Sequence, residues 1–177
     1  MQNGTRSLSD KMIVFVAEGF GAGRIPYGPG TFGTVVGFAW VYLLLLSRSL
    51  PLYIAAIIIG FFVAVCIGER AEKILKKKDP GSIVIDEIAA VPLAFLPAVI
   101  MTKPYVLTMH PSSFLTREYI ILPILSFVLF RFFDIVKPLG IRRVQSRHWG
   151  LVVDDYLAAI LAALVLLAYM LLAARFV

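Results

Sequence analysis

Residues Leu151–Ala174 read LVVDDYLAAILAALVLLAYMLLAA, an apolar run whose only charges, Asp154 and Asp155, fall close to its start. Its length lies within the roughly 17–25 residues that an α-helix needs to cross a bilayer. Leu, Ala and Val succeed one another without the alternation of a barrel strand. Inside hydrocarbon a backbone satisfies its own polar groups only as a helix or a closed barrel, so the stretch reads as a transmembrane helix. Two adjacent carboxylates are costly there; by default they mark function and require a partner.

Four further apolar segments precede it. Thr34–Leu46, which extends back through Phe32, is separated by Arg48, Ser49 and Pro51 from Leu52–Gly68. Ile83–Met101 carries Asp86 and Glu87 near its beginning, and Tyr119–Phe133 closes on Arg131 and Asp134. Segments 34–46 and 119–133 are marginal in length for a full crossing. Of the 177 residues, 60% are hydrophobic and 16% charged, against about 45–50% and about 25% in a soluble domain. The expectation is an all-α, polytopic membrane helix bundle with about five apolar segments, forming one domain over residues 1–177. A short interfacial helix over residues 8–18 precedes it. That helix is not read as a secretory signal, because its apolar part, Met12–Ala17, meets Glu18 before reaching the roughly 7–15 residues of a signal core. The single cysteine, Cys66, excludes an intrachain disulfide and a thiolate metal cluster, and is expected as a small buried apolar residue.

Alternating crossings place residues 1–33, 69–82 and 131–150 on one side. The regions around 48, 102–118 and 175–177 fall on the other. The first set holds 13 Lys and Arg and the second 4, so the positive-inside rule assigns the first set to the cytoplasm. Lys76, Lys77 and Lys78 carry the strongest vote, as a solvated loop touching anionic headgroups. Residues 102–118, with Pro104, Pro111, Ser112 and Ser113, read as an external loop, and His110 within it is given no role.

All but one of the 11 Asp and Glu residues, Glu118 being the exception, lie on the cytoplasmic side or at the cytoplasmic mouths of the spans. Asp86, Glu87, Asp134, Asp154 and Asp155 therefore reach one depth from three separate helices. Ionised carboxylates crowded together repel unless neutralised, and hard oxygen ligands suit Mg²⁺, Mn²⁺ or Ca²⁺ rather than zinc. The alternative is a structural ion-pair network with Arg131, Lys137, Arg142 or Arg143. Neighbouring acids point about 100° apart on a helix, so one of each pair faces the bundle while the other orients it.

The glycine-rich stretch Gly19–Thr34 has neither the spacing of a dinucleotide fingerprint nor the Gly-Lys-Ser/Thr of a Walker loop. Glycine backbone allows a ligand to approach closely, and Gly30, Thr31 and Thr34 lie where helix N–H groups favour anions. Phosphate binding and a plain turn before a helix both remain open. Asp79-Pro80-Gly81-Ser82 is a turn in which Ser82 reads first as an N-cap. In Arg131–Pro138, base, acid and base alternate, with Arg131, Asp134 and Pro138 near one helical face and Lys137 three residues after Asp134. Guanidinium and ammonium groups beside a metal-held phosphate suit phosphoryl chemistry. His148 lies on the same side and reads as an interfacial residue, with a general acid as the alternative.

Four blocks, in order, resemble the phosphatidylglycerophosphatase A family of bacterial membrane enzymes. They are Gly19-Phe20-Gly21 through Pro29-Gly30-Thr31; Asp79-Pro80-Gly81-Ser82-Ile83-Val84-Ile85-Asp86-Glu87; Phe130-Arg131-Phe132-Phe133-Asp134 with Lys137-Pro138; and Gly150 with Asp154-Asp155. The chain departs from the family pattern at Thr34, where Ser is usual, at Ala90 and Ala159, where glycines are usual, and at Leu139-Gly140, where a second proline is usual. The resemblance implies Mg²⁺-dependent hydrolysis of phosphatidylglycerophosphate to phosphatidylglycerol and phosphate at the cytoplasmic face of the bacterial inner membrane. It implies Asp86, Glu87, Asp134, Asp154 and Asp155 as metal-holding acids. Lys137, Arg131, Gly30, Thr31, Thr34 and Ser82 would then be the groups around the phosphate. The partners expected are the membrane and a phospholipid, with no nucleic acid. A divalent-cation transporter or channel is the competing class, and it predicts acids spread along a path through the membrane.

Overall fold

Long apolar runs with helical continuity become helices, and in the computed structural model, which describes residues 7–102, 111–138 and 150–175, all regular structure is helical. The α-helices are α1 (Leu8–Ala17), α2 (Pro29–Leu46), α3 (Leu50–Leu75), α4 (Ile85–Met101), α5 (Ile121–Val136) and α6 (Gly150–Ala173); 3₁₀ turns cover Gly19–Arg24 and Pro111–Leu115. Lys103, Pro104, His110, Leu139, Gly140, Arg142, Arg143 and His148 lie outside the described residues.

Three helices, α2, α3 and α6, are long and apolar enough to cross a membrane. Helices α4 and α5 are shorter, at 17 and 16 residues, so the described structure supplies three helices of spanning length rather than five. Helix α4 is covered by protein rather than by lipid: α6, α2 and α3 all pack on it. Small side chains make that possible. Ala90, Ala94 and Ala98 of α4 and Ala158, Ala159 and Ala162 of α6 are wholly buried, which lets the backbones approach as small residues do in membrane bundles. Ala90 and Ala159, where the related pattern has glycine, sit in this seam. On the α2 side, Gly37 faces Val91 so closely that a Cβ there would stand 2.7 Å from Val91 Cγ2.

Pro92 and Pro97 lie inside α4 and remove two intrahelical donors. Tyrosine hydroxyls from neighbouring helices engage carbonyls in this region. Tyr53 donates to the Pro92 carbonyl at 2.9 Å, and the Tyr156 hydroxyl lies 3.0 Å from the Ala89 carbonyl and 2.9 Å from that of Ile57. Buried tyrosine O–H groups ordinarily find such partners.

The outward faces remain apolar, with Ile58, Ile59, Phe62 and Val63 on α3 and Leu164, Leu171 and Leu172 on α6 all exposed. Cys66 shares this outward face, contrary to its expected burial; α3 turns Ala64, Val65 and Gly68 inward and leaves Cys66 outside. Helix α3 also outruns the apolar segment, continuing past Gly68 because Ala71 buries against Ala17 of α1 and Ile83. Helix α1 matches the short N-terminal helix expected, burying Val14 and Ala17 while Leu8, Met12 and Phe15 stay exposed.

Candidate active site

One end of the bundle gathers the start of α2, the starts of α4 and α6, and the end of α5. At the first turn of α4 stand Asp86 and Glu87, and at the first turns of α6 stand Asp154 and Asp155. Asp134 and Arg131 occupy the last turns of α5, and Lys137 caps it in the left-handed region at φ +44°. A residue other than glycine in that region is strained. Here the turn ends α5 and leaves the lysine among the carboxylates. Pro138 follows the helix end and does not share the α5 face expected from its spacing, because the helix stops at Val136.

The five acids divide into two groups. Arg131 Nη1 donates to Asp134 Oδ2 at 2.5 Å and lies 3.9 Å from Glu87 Oε1. Lys137 Nζ donates to Asp154 Oδ2 and stands 3.6 Å from both Asp134 Oδ1 and Asp155 Oδ1. Asp134 and Asp154 are thus held by basic partners. Asp86, Glu87 and Asp155 form the other group: one oxygen from each lies within 4.8 Å of the others. Asp86 Oδ1 and Glu87 Oε2 are buried with no hydrogen-bond partner among the described residues. Asp86 and Asp155 are 4% and 3% exposed, so an ionised pair there lacks water, and Lys137, 3.6 Å from Asp155, is shared with Asp134 and Asp154.

Among the described residues, Arg131 and Lys137 set two positive charges against five carboxylates, an excess of three negative charges when all are ionised. Buried charge of one sign needs a compensating ion. All-oxygen donors in a close group suit a hard divalent cation, and the orphaned oxygens of Asp86 and Glu87 are where one fits. Burial opposes the charge on Lys137, yet the carboxylates of Asp155, Asp154 and Asp134 outweigh it and hold the ammonium above the usual lysine range. Arg131 Nε is also buried and unpartnered among the described residues, which leaves an N–H donor beside the acids.

The glycine-rich stretch divides as well. Its first half is the 3₁₀ turn Gly19–Arg24, in which Gly21 and Gly23 donate to the Glu18 carbonyl and Arg24 pairs with Glu18 at 2.6 Å. The turn packs on the entry to α4: Val84 donates to the Ala17 carbonyl at 2.9 Å, and Gly23 leaves no room for a Cβ against the Ser82 carbonyl. Its second half opens α2. Gly30 lies directly against Glu87 Oε1 and the Arg131 guanidinium, where a Cβ would collide with the carboxylate. Thr34, one turn on, is wholly buried and donates to the Gly30 carbonyl at 2.8 Å. The N–H groups of Thr31 and Phe32 both turn to the Gly28 carbonyl. Ser82 is not the N-cap of α4: Val84 is, without a side-chain cap, because the helix begins only at Ile85.

The structure brings together the acids, Arg131 and Lys137 that the sequence singled out, whereas sequence reading tied Gly30 to the approach of a ligand and did not foresee that Glu87 and Arg131 fill that space. It also missed Tyr53 and Tyr156, whose spacing carries no signal beyond an aromatic in an apolar run.

Comparison with known proteins now bears on this arrangement. Residues 15–170 match the family model of phosphatidylglycerophosphatase A. Among curated proteins, a phosphatidylglycerophosphatase A of Haemophilus influenzae is 33% identical over 159 residues, covering 88% of this chain and 87% of its own. A putative phosphatidylinositol-3-phosphatase of Bacteroides thetaiotaomicron is 31% identical, covering 83% and 86%. The phosphatidylglycerophosphatase A of Escherichia coli is 28% identical, covering 84% and 77%. No solved structure matches the chain. With helices suited to a membrane and a match over most of its length, the chain belongs to the phosphatidylglycerophosphatase A family of phosphatases.

Proposed function

We propose that the protein hydrolyses phosphatidylglycerophosphate to phosphatidylglycerol and phosphate, with Mg²⁺, at the cytoplasmic face of the bacterial inner membrane. The observation that carries the reading is the group Asp86, Glu87 and Asp155, with two orphaned carboxylate oxygens, beside the unpartnered Arg131 Nε. These three acids would hold the cation, which supplies Lewis-acid activation and neutralises charge at the phosphoryl group.

The chain's own groups have distinct tasks in this reading. Arg131 Nε–H donates to a phosphate oxygen, while its Nη1 stays on Asp134 and fixes the guanidinium plane. Lys137 holds Asp154 and Asp155 in place as a fixed positive charge. Gly30 leaves the gap in which Glu87 and Arg131 meet. Water attacks phosphorus and releases a proton, the phosphorus–oxygen bond to the glycerol headgroup breaks, and the leaving oxygen takes up a proton, so that none is gained or lost overall. The positive-inside asymmetry supports the cytoplasmic orientation, since Lys76, Lys77 and Lys78 leave α3 at the same end as the acids. No carboxylate of this cluster continues into the apolar middle of α4, which is where a transport path would need one.

The test is phosphate release by purified protein from phosphatidylglycerophosphate, phosphatidic acid and phosphatidylinositol 3-phosphate, each with and without Mg²⁺. Preferred, Mg²⁺-dependent turnover of the first supports the reading. Turnover of none, or turnover that EDTA leaves unchanged, removes it. Orientation is read separately by labelling a Lys77→Cys variant in a Cys66→Ser background; reaction with an impermeant reagent from outside intact cells inverts the topology.

A further inference from the structure

An apolar groove of about 430 Å³ runs between α2 and α5, floored by Phe95 of α4 and reaching Pro111 and Phe114 of the 3₁₀ turn. Nothing in the hydrolysis of a phosphate ester requires it. Its position relative to the acids is specific. On α2, Gly30, Thr34 and Phe38 follow one another at successive turns, as Arg131 and Phe127 do on α5 in the opposite direction. Gly30 meets Arg131 at the site end of this seam, and the Phe38 and Phe127 rings meet across it at 6.1 Å. The lining is apolar apart from the Tyr42 phenol, with Val35 and Ile124 exposed at its rim and Val41 and Leu45 buried behind.

Charged donors at one end, an aromatic pair, then an open apolar groove along the same two helices: this order matches a phospholipid read from phosphate to acyl chain. We propose that the groove binds one acyl chain of the lipid whose phosphate lies at the acid cluster, so that the substrate is recognised at its tail as well as its headgroup. The inference rests on the phospholipid reading given above. A bystander lipid would need only an apolar face, as α3 offers along Ile58, Ile59 and Phe62; the shared α2–α5 seam ties this groove to the site.

Two groove-filling variants, Ala39→Trp and Ile124→Trp, test the proposal in mixed micelles at fixed detergent. Both positions lie on the groove wall, away from the acids. For long-chain phosphatidylglycerophosphate, KM is expected to rise about tenfold, as when roughly two methylenes lose their burial. For a water-soluble short-chain analogue, kcat and KM should match the unsubstituted protein. Equal losses on both substrates, or no change on either, overturn the proposal. If the unsubstituted protein hydrolyses neither, the phosphatase reading has failed, and the groove is judged by photolabelling with a phospholipid bearing a diazirine in its acyl chain. Labelling concentrated on α2 and α5 and suppressed by Ala39→Trp supports the groove; labelling spread evenly over α3 and α6, or a groove covered by a second copy in cross-linking, overturns it.

Discussion

In a Gly30→Ala protein the new methyl would point at Glu87 Oε1 and stand 3.0 Å from Arg131 Nη1. The backbone itself accepts the change, because Gly30 is a helical residue outside the left-handed set. Alanine in a helix is favoured over glycine by about 0.5–1 kcal/mol. The obstacle is the far end of a flexible side chain, and turning Glu87 aside costs about 0.5–1.5 kcal/mol if it must leave its rotamer well. The two terms nearly cancel, so thermal stability should stay within about 1 kcal/mol of the parent. Chemistry fares differently: Glu87 must retreat by roughly an ångström, and a misplacement of that size costs on the order of 10² in rate. Gly37→Ala is the counterpart. Its methyl would meet Val91 Cγ2 at 2.7 Å, Val91 Cβ at 2.9 Å and the Ile88 Cα at 3.3 Å, and no side-chain rotation moves the last two. Overpacking there should destabilise by about 1–3 kcal/mol, while the folded fraction keeps its kcat. The assay pairs kcat at saturating lipid and Mg²⁺ with thermal unfolding of each variant in the same detergent. A Gly30→Ala protein with near-parental kcat, or one whose activity falls only in step with its stability, refutes the reasoning.

Asp86→Asn and Asp155→Asn should each lower kcat/KM by about 10²–10³, the scale of losing one charge-stabilising group, and raise the Mg²⁺ concentration for half-maximal activity; a Mg²⁺ titration of each variant checks both. Lys137→Met should destabilise by about 3–5 kcal/mol, because Asp154 stays buried without its partner, and adding Asp154→Asn should restore part of that loss in a double-mutant cycle. Tyr53→Phe should cost about 1 kcal/mol through the lost bond to the Pro92 carbonyl, with kcat unchanged. Mg²⁺ at a hundred times its dissociation constant should stabilise the fold by about 2.7 kcal/mol, visible as a Tm that falls when EDTA is added.

The helices were legible because a bilayer leaves so little choice of backbone, and the site was legible because ionised groups in apolar runs are rare. Asp86 with Glu87, Asp154 with Asp155, and Arg131 with Asp134 and Lys137 all stood out against hydrocarbon. How they would divide among themselves was not legible. Helical spacing brings Arg131 next to Asp134, but the reach of Lys137 to Asp154 crosses from the end of α5 to the start of α6 and depends on a left-handed residue that no sequence pattern announces. The shortness of α5 was already visible in segment 119–133, but that of α4 was hidden for a related reason. Hydropathy measures what a segment tolerates, whereas α4 is enclosed by its neighbours and needs no match to bilayer thickness. Cys66 was misplaced because in a lipid-facing helix an apolar residue is as content outside as inside.

Three helices can bring carboxylates within bridging reach only if their backbones come unusually close, and that closeness has to be built where no charge is present. The stripe Gly33 and Gly37 on α2 and the alanines of α4 and α6 do this in the apolar part of the bundle, one to four turns from the acids. Their consequence appears at the end, where Gly30 touches Glu87 and Asp155 approaches Asp86. Repulsion among the acids works against this packing at every moment the site lacks a cation. If the acid group holds Mg²⁺ as proposed, the packing seam and that group are coupled: widening the seam with a larger residue at Ala90 or Ala159 should weaken Mg²⁺ binding without touching a proposed ligand, and Mg²⁺ should in turn raise the stability of such variants more than that of the parent. Equal Mg²⁺ affinity in parent and Ala159→Val proteins would show that the acids are held together by something other than the helices that carry them.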